Sequence, residues 1–209
     1  MAITLLEIRG DVRARVSDEE NKLTNTFLTH VSNIGQNVVY NQLLPIISVK
    51  LTATHKQNTA IGQAEYPLPA DCRDVRRVKL NNKKAREKGI DEIDSVDSGF
   101  ELATIDEPAF LEWAGKIEIH PIPTSIIVDG IRTDYLKQTV PLVLDGDKSI
   151  IPEEYHGLIV DYVESLALRK LDRVDKATVA DGTISKMFTD ILNANTRAIQ
   201  MQEIDKQRK

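Results

Sequence analysis

Two residues in the C-terminal third of the chain have the types and the spacing of a metal site. Glu153 and His156 form an E-x-x-H pair, which carboxylate-bridged metal enzymes place on helices that face a shared interior. Such a site needs this pair on two helices and further glutamates on two more. None of the other three histidines has an acid three residues before it, so the sequence holds no second copy. We therefore predict no metal site here.

The same run has a simpler interpretation as the start of an amphipathic helix. Pro152 suits a first helical position, and acids in a first turn are stabilised by the helix dipole by about 0.3–1 kcal/mol. Glu154 and Asp161 are expected on one flank of this helix. Glu153 and Glu164 are expected on the side opposite the core. The apolar residues fall within one arc: Tyr155, Leu158, Ile159, Tyr162, Val163 and Leu166.

No other motif points to catalysis. The sequence has no G-x-S-x-G elbow, no H-E-x-x-H zinc motif, no G-x-G-x-x-G turn after a strand and no G-x-x-x-x-G-K-[ST] phosphate loop. Its one cysteine, Cys72, excludes an intramolecular disulfide and a cysteine-based zinc cluster. We predict that the protein is not an enzyme and uses no cofactor.

A run of basic residues between positions 73 and 88, the basic segment, is the stronger candidate for a binding site. Only Asp74 and Glu87 oppose its charge. The whole chain carries a net charge of -5, from 32 acids and 27 bases, so the segment is a local positive surface that can meet phosphates or an acidic protein. The predicted contact residues are Arg73, Arg76, Arg77, Lys79, Lys83, Lys84, Arg86 and Lys88.

Three interpretations of the basic segment remain open: contact with DNA, contact with a protein partner, and a solvated hairpin loop. The segment contains no aromatic residue, which argues against sequence-specific reading of single strands. No stretch reaches the ~18–20 apolar residues of a membrane span, and the N-terminus lacks the apolar core of a signal peptide. We expect no membrane partner and a reducing, soluble compartment.

Helices are predicted at both ends of the chain. Thr4–Glu7 and Ser17–Glu20 each have the pattern of a capping box at a helix start. The second helix is expected to run to about Leu44, because Pro45 disfavours helix at the residue before it. Its apolar stripe is predicted at Leu23, Phe27, Val31, Ile34 and Val38.

Between about residues 46 and 140 the pattern changes to short alternating runs rich in β-branched residues. These runs predict one small antiparallel sheet, without the strand–helix alternation of a parallel fold. Residues 81–99 are polar and charged and are predicted to form a long mobile loop. The predicted strands lie within SVKLTATHKQ, ADCRDVRRVKL, FELATI, KIEIHPI and SIIVDGIRTDYL.

The C-terminal part returns to helical patterns. A last helix is expected from about Val174 to Ile204, interrupted at Gly182 and followed by a flexible tail from Asp205. The overall prediction is an α+β fold, mainly α, in which a helical bundle carries an inserted antiparallel sheet within a single overall domain. Its parts are N-terminal bundle helices (1–45), a β-rich insertion (46–148), C-terminal bundle helices (149–190) and a C-terminal arm (191–209).

Three motifs follow one another in an order that resembles a known family. They are Leu68-Pro-Ala-Asp71, Ile117-Glu-Ile-His-Pro121-Ile-Pro123, and Ile151-Pro-Glu-Glu-Tyr155. With the capped N-terminal helices they resemble the head-to-tail adaptor (connector) proteins of tailed bacteriophages, in particular the portal-binding ring proteins of short-tailed phages. The resemblance covers the chain from about residue 4 to residue 180.

The resemblance implies a structural virion protein of the phage neck, assembled in the host cytoplasm, that acts in genome packaging and ejection. Its implied partners are the portal protein, a tail or nozzle protein, further copies of itself in a ring (expected to be a dodecamer), and double-stranded DNA held without sequence preference in the central channel. The arm is expected to order only when it docks on the portal. The expected docking residues are Asn195, Arg197, Gln200, Met201, Ile204, Lys206, Arg208 and Lys209. The alternative is a DNA-binding module that uses the basic segment.

Overall fold

The structure, a computed structural model, describes residues 2–17, 22–89 and 103–207. Across these residues the fold is α+β, with four α-helices and two small four-stranded sheets. The chain divides into two compact units: a first unit of Met1–Lys50 with Thr139–Lys209, and a second unit of Leu51–Gln138. The helices belong to the first unit and the sheets to the second.

The helices are α1 (Leu5–Val16), α2 (Asn25–Ile47), α3 (His156–Lys170) and α4 (Val174–Gln207), and a short 3-10 turn at Glu153–Tyr155 leads into α3. The strands are β1 (Thr52–Gln57), β2 (Glu65–Pro67), β3 (Cys72–Leu80), β4 (Lys83–Lys84), β5 (Arg86–Glu87), β6 (Ala109–Trp113), β7 (Lys116–His120) and β8 (Ile131–Lys137).

The start of α1 confirms the first predicted capping box. The Thr4 hydroxyl accepts a hydrogen bond from the Glu7 amide at 3.2 Å, and the Glu7 carboxylate accepts one from the Thr4 amide at 2.7 Å. The second predicted box is wrong as a helix start. Ser17 ends α1 in the left-handed region, with φ of 51°, whereas an N-cap residue needs extended backbone. Thr24 caps α2 instead, accepting from the Phe27 amide at 3.2 Å.

The helix α2 differs from its prediction in length and in phase. It was predicted to end at about Leu44, but it continues to Ile47 with Pro45 inside its last turn. Proline removes one backbone hydrogen-bond donor, and the last turn of this helix forms without it. Phe27, Ile34 and Val38 lie at the edge of the packed face and are half-buried. The buried face includes the polar residues Ser32 and Gln36. The spacing of apolar residues alone therefore did not indicate which side of the helix is buried. Its buried members are Leu28, Val31, Ser32, Gly35, Gln36, Val39, Tyr40, Leu43 and Ile47.

The helix α3 contacts each of the other three helices and buries Ile159 and Val163 completely. It packs closely against α2 at Gly35. A Cβ atom added at Gly35 would lie 3.1 Å from the Val163 Cγ2 atom and 3.4 Å from the Ile159 carbonyl oxygen. A side chain at this helix crossing would therefore force the neighbouring atoms of α3 to move, more so as its size increases.

The chain re-enters the first unit at Thr139, and polar side chains of α1 and α2 hold the residues that follow (139–148, the return segment). Asn33 donates to the Leu142 carbonyl at 2.9 Å and accepts from the Leu142 amide at 2.7 Å. Gln36 donates to the Val140 carbonyl at 3.0 Å. The buried Arg9 guanidinium contacts the Asp145 carboxylate at 2.5 Å. The return segment is thus fixed by side-chain hydrogen bonds to its backbone.

The strands form two sheets, so the prediction of one antiparallel sheet is wrong. The first sheet has the order β1-β8-β3-β4 and is antiparallel throughout. The second has the order β2-β7-β6-β5, and its β5–β6 pair is parallel. Ala85 separates β4 from β5 and is buried, which lets the chain pass from one sheet to the other. Residues 83–87, predicted as loop, therefore contribute one strand to each sheet.

Other expected elements are shifted. The strand β6 was not predicted. Instead a strand was expected in the FELATI run (residues 100–105), where Ala103 and Thr104 are not in a strand. Residues 100–102 of that run lie outside the described residues. The part of the predicted loop from residue 90 to residue 99 lies outside them too. Of the last predicted strand, SIIVDGIRTDYL, only the residues from Ile131 onward belong to β8. The helix α4 runs through Gly182 without interruption, because a glycine costs a helix only about 1 kcal/mol relative to alanine.

A pair of glycine substitutions tests the close packing of α2 on α3. Gly35→Val is expected to lower the free energy of unfolding by about 1–3 kcal/mol, because the added methyl groups overpack the helix crossing. Gly182→Ala is the matched control at an exposed helical site with nothing within 4 Å of the new Cβ atom, and it is expected to raise this free energy by about 0.5–1 kcal/mol. Urea denaturation followed by circular dichroism measures both. Effects of the same sign would contradict the close approach at Gly35.

Candidate functional site

The basic segment lies on strands of both sheets, and the first sheet aligns part of it with two cations from elsewhere in the chain. Lys79 on β3 is the register partner of Arg132 on β8 and of Lys84 on β4. On its other side, Arg132 is the partner of Lys56 on β1. Directly opposed residues of antiparallel strands carry their side chains on the same face. Lys56, Arg132, Lys79 and Lys84 therefore form one row across four strands, the cation row.

The cation row occupies the face of the first sheet that points away from the core. Val78, Leu80 and Ile131 alternate with the row residues and are buried in the apolar core of the second unit. The side chains of Lys56 and Arg132 are 54% and 42% exposed. Neither residue belongs to the basic segment. The sequence gives no direct sign of their place beside Lys79, because strand register depends on pairing between distant segments.

Asp134 on β8 is the acidic centre of this face. Its carboxylate accepts hydrogen bonds from the Thr54 hydroxyl at 2.6 Å and from the Arg132 Nε at 3.1 Å. It also accepts from the Arg77 Nε at 2.8 Å, and a second Arg77 nitrogen makes a further contact. The side chains of β1, β3 and β8 are therefore joined through one carboxylate. Arg77, predicted as a contact residue for DNA or a partner, is engaged here within the sheet.

The hydrogen bonds to Asp134 decide its charge state. Burial opposes ionisation of this carboxyl, but the hydrogen bonds from Thr54, Arg77 and Arg132 outweigh burial and lower its pKa to about 2. Its side chain is only 7% exposed, so solvent screens these contacts weakly. Asp134 is thus a buried anion that holds two arginines on an otherwise repulsive face.

Most of the basic segment meets at one cleft of about 600 Å³, where its cations mix with acids. Arg76 also contacts Asp74 at 3.2 Å, and Lys83 contacts Asp106 at 3.3 Å. Arg73 is exposed on β3. The cleft brings together five of the eight predicted contact residues with three acids, so its charge is partly balanced. The charged residues that line this cleft are Arg76, Arg77, Lys84, Arg86, Glu87, Lys88, Asp106 and Glu107.

The three ordered motifs have structural roles. The Asp71 carboxylate accepts a hydrogen bond from the Tyr135 hydroxyl at 3.0 Å, and the Asp71 carbonyl accepts from the Gln138 amide at 2.8 Å. Burial and the Asp71 carboxylate raise the pKa of Tyr135 to about 12, so the phenol remains a donor. After β7, the Pro123 carbonyl accepts from the Gly62 amide at 2.9 Å, which fixes the chain where it leaves the second sheet.

Of the E-x-x-H pair, His156 is used in packing and Glu153 is exposed. His156 is buried, and its Nε2 atom lies 2.8 Å from the Ile151 carbonyl oxygen, to which it donates. Glu154 forms an ion pair with Lys50. The described residues contain no group of three or more histidine, cysteine, aspartate or glutamate side chains that could hold a metal ion.

Asp161 and Glu164 were predicted on different sides of this helix, and the structure places them on the same side. Asp161 and Glu164 both contact the Arg15 guanidinium, at 2.6 Å and 3.2 Å. They lie three residues apart on α3, where side chains are neighbours on the helix surface. A single arginine from α1 therefore reaches both of them.

No described side chain of α4 beyond Phe188 is buried. Ala177, Ile184 and Phe188 are buried, whereas from residue 189 to residue 201 no described side chain is buried. The helix continues from Phe188 to Gln207, roughly 28 Å at 1.5 Å per residue. The structure shows helix at residues 205–207, where a flexible tail was predicted.

Among the expected docking residues, Asn195 is half-buried, and Arg197, Gln200 and Met201 are exposed. The backbone of Ile204 and Lys206 is helical. Arg208 and Lys209 lie outside the described residues. The docking residues thus share one helical segment as far as the structure describes them.

Comparison with known families decides the family of this chain. A sequence-family model described as SU10 adaptor protein matches residues 3–206. The chain belongs to the SU10 adaptor protein family. The match covers nearly the whole chain and confirms the resemblance to phage head-to-tail adaptors; the short-tailed type stays a prediction. A comparison with curated proteins finds no match.

Membership in the SU10 adaptor family gives the chain a structural role. It is a phage adaptor and a component of the virion, and adaptors of this kind interact with portal and tail components of the phage. The family is a structural family, not an enzyme family. In the part of this SU10-family adaptor that the structure describes, no helix is long and apolar enough to cross a membrane.

The charge on Asp134 gives a pH-dependent prediction. A carboxyl whose pKa falls from 3.8 to about 2 on folding contributes stability that is complete above pH ~4 and is lost as the pH falls towards 2. At pH 7, Asp134→Asn is expected to lower the free energy of unfolding by about 2 kcal/mol. This deficit is expected to shrink between about pH 4 and pH 2, as measured by urea denaturation.

The control for this experiment is Asp106→Asn. The Asp106 side chain is 83% exposed, and its substitution is expected to change the free energy of unfolding by less than about 0.5 kcal/mol. A deficit in Asp134→Asn that stays constant from pH 7 to pH 2 would show that the carboxylate charge does not hold the two arginines.

Proposed function

We propose that this SU10-family adaptor forms a ring beneath the portal of a short-tailed phage and links the capsid to a tail or nozzle protein around the DNA channel. The observation that carries the proposal is the family match over residues 3–206. Copies assemble in the host cytoplasm, and the ring serves genome packaging and ejection from the neck of the virion. A dodecamer is the expected ring.

Each part of the chain has a place in this proposal. Residues 1–45 and 149–190 form a helical bundle that meets its neighbours side by side, and residues 46–148 form an insertion in the same domain. A closed ring requires two different complementary faces on every copy. The packing of α1, α2 and α4 around α3 supports this assignment, because it leaves the outer helix surfaces available for such contacts.

The arm (191–209) is proposed to dock on the portal. The stripe that packs through Ile184 and Phe188 continues along α4 to Ile191 and Ala198, where no described part of the chain buries it. A short helix without tertiary contacts is marginal in water. A partner surface that covers this stripe would stabilise the arm, and a portal subunit is the partner that the family offers.

The basic segment is proposed to contact DNA or a neighbouring protein. Lys79 and Lys84 support this role best, since the described residues provide neither with an acidic partner. A DNA-binding module without a ring is the second candidate, and the cation row is the observation that favours it. Negative-stain microscopy separates the two, because only the adaptor forms rings, alone or on the portal of its own phage.

Truncation tests the docking arm. A chain that ends at Leu192 is expected to fold with a Tm close to that of the full chain, because it retains Phe188, the last side chain of α4 that is buried among the described residues. It is expected to lose binding to the purified portal protein of the same phage, measured by sedimentation and negative-stain microscopy. Portal binding equal to that of the full chain would contradict the arm assignment.

A matched pair of substitutions refines this test. Met201 in the arm and Met187 before it are both exposed on α4, by 67% and 41%. Met201→Gln is expected to weaken portal binding, because it removes apolar contact area, and Met187→Gln is expected to leave it unchanged. A full-length chain that shows no portal binding at micromolar concentration would contradict the adaptor proposal as a whole.

A further inference from the structure

The cation row is an arrangement that a sheet normally avoids. Like charges directly opposite each other on neighbouring strands destabilise a sheet, and this row opposes Lys79 to both Arg132 and Lys84. Asp134 contacts Arg132, and Asp129 contacts Lys56 at 3.0 Å. Neither acid contacts Lys79 or Lys84, and no described carboxylate lies within 4 Å of the amine of either lysine, although Lys84 shares a cleft with Asp106 and Glu107.

The charge of this face remains positive after its internal pairs are counted. Arg77 lies two residues from Lys79 on the same side of β3, as the partner of Asp134. The face thus carries the four cations of the row and Arg77 against Asp134 and Asp129, a net charge of about +3. The whole chain is acidic, with a net charge of -5. The excess of cations is therefore local to this face.

We propose that this face binds the phosphodiester backbone of double-stranded DNA, without sequence preference. Strands in a sheet are about 4.8 Å apart, so the row spans roughly 14 Å. A duplex carries one negative charge per ~1.7 Å of its axis, and a backbone lying along the row meets several phosphates. The inference rests on the proposed function only for the presence of DNA beside this face; binding itself is a property of the purified chain.

The composition of the face favours phosphates over an acidic protein. Stable protein interfaces depend on anchors that become buried, most often tryptophan, tyrosine and arginine. The neighbours of the row on the same face of β1, β3 and β8 are Thr54, Arg77 and Asp134, and the two arginines of this face are already engaged with Asp134. None of the described strand residues on this face is aromatic, and Phe110, which shares a cleft with Lys84, is buried. The duplex backbone therefore fits this face better than a single strand whose bases need rings to stack on.

The test uses the full chain and a labelled DNA duplex of about 30 bp, with fluorescence anisotropy measured from about 50 to 200 mM salt. Lys79→Gln with Lys84→Gln is expected to reduce the slope of log affinity against log salt by about 2, because two phosphate contacts are lost. Two unrelated duplex sequences are expected to give the same affinity. The charge-retaining variant K79R/K84R is expected to bind like the parent chain.

The matched control is Lys176→Gln with Lys186→Gln, which removes two exposed lysines from α4. It makes the same change in net charge outside the proposed site and is expected to leave the salt slope unchanged. The K79Q/K84Q variant is expected to keep or raise the Tm at low salt, since it removes repulsion between opposed lysines. Loss of binding together with a retained Tm assigns the loss to phosphate contacts.

Several results would overturn the proposal. These are absence of duplex binding at about 50 mM salt, an unchanged salt slope in K79Q/K84Q, loss of binding in K79R/K84R, and tighter binding of poly-glutamate than of DNA. Ring formation is a separate readout. K79Q/K84Q is expected to form the same rings as the parent chain, so failure of DNA binding and failure of the ring proposal can be told apart.

Discussion

The carboxylate of Asp134 is the interaction on which the second unit depends. It joins β1, β3 and β8 through Thr54, Arg77 and Arg132, and it is ionised despite burial because those donors stabilise its charge. A sheet face with so many cations has a repulsive energy that solvent screens in part and that nearby anions offset. Asp134 offsets it at Arg77 and Arg132, and Asp129 offsets it at Lys56. The half-buried Lys79 and the exposed Lys84 contact neither acid.

The first unit uses a similar principle with neutral groups. Asn33 and Gln36 point from α2 to the backbone of the return segment, and buried backbone groups are stable only when they are paired. The first amides of α1 complete this arrangement, since Leu5 donates to the Asp147 carbonyl at 3.0 Å. Polar side chains at core positions thus fix where the chain re-enters the helices, and apolar packing around α3 supplies most of the burial.

Local features of the fold were predictable from the sequence, and features that depend on distant pairing were not. The capping box at Thr4 was predictable because its partners are three residues apart. Ser17 has the same local pattern, yet the left-handed backbone at that residue comes from the way α1 ends. The orientation of the buried face of α2 was missed because two of its residues are polar. Gln36 donates a hydrogen bond to Val140, 104 positions away, and Ser32 is buried in the core.

The candidate site shows the same division. The basic segment was visible as a run of charges, but the ion pairs of Arg77 and Lys83 depend on Asp134 and Asp106, which lie outside the segment. Lys56 and Arg132 entered the site only through strand register. The order of three short motifs indicated the family although their contacts are not all local: Asp71 of the first motif accepts a hydrogen bond from Tyr135, 64 positions away.

The absence of buried side chains among the described residues of α4 beyond Phe188 has a consequence for the timing of assembly. One exposed helix with a few apolar residues makes a weak contact, so a lone copy of the chain would leave a partner quickly. When copies are joined in a closed ring, as proposed, the arms act at high effective concentration and their small contributions combine into strong attachment. Weakness of the single arm would then protect against premature docking, and completion of the ring would itself be the signal for stable attachment.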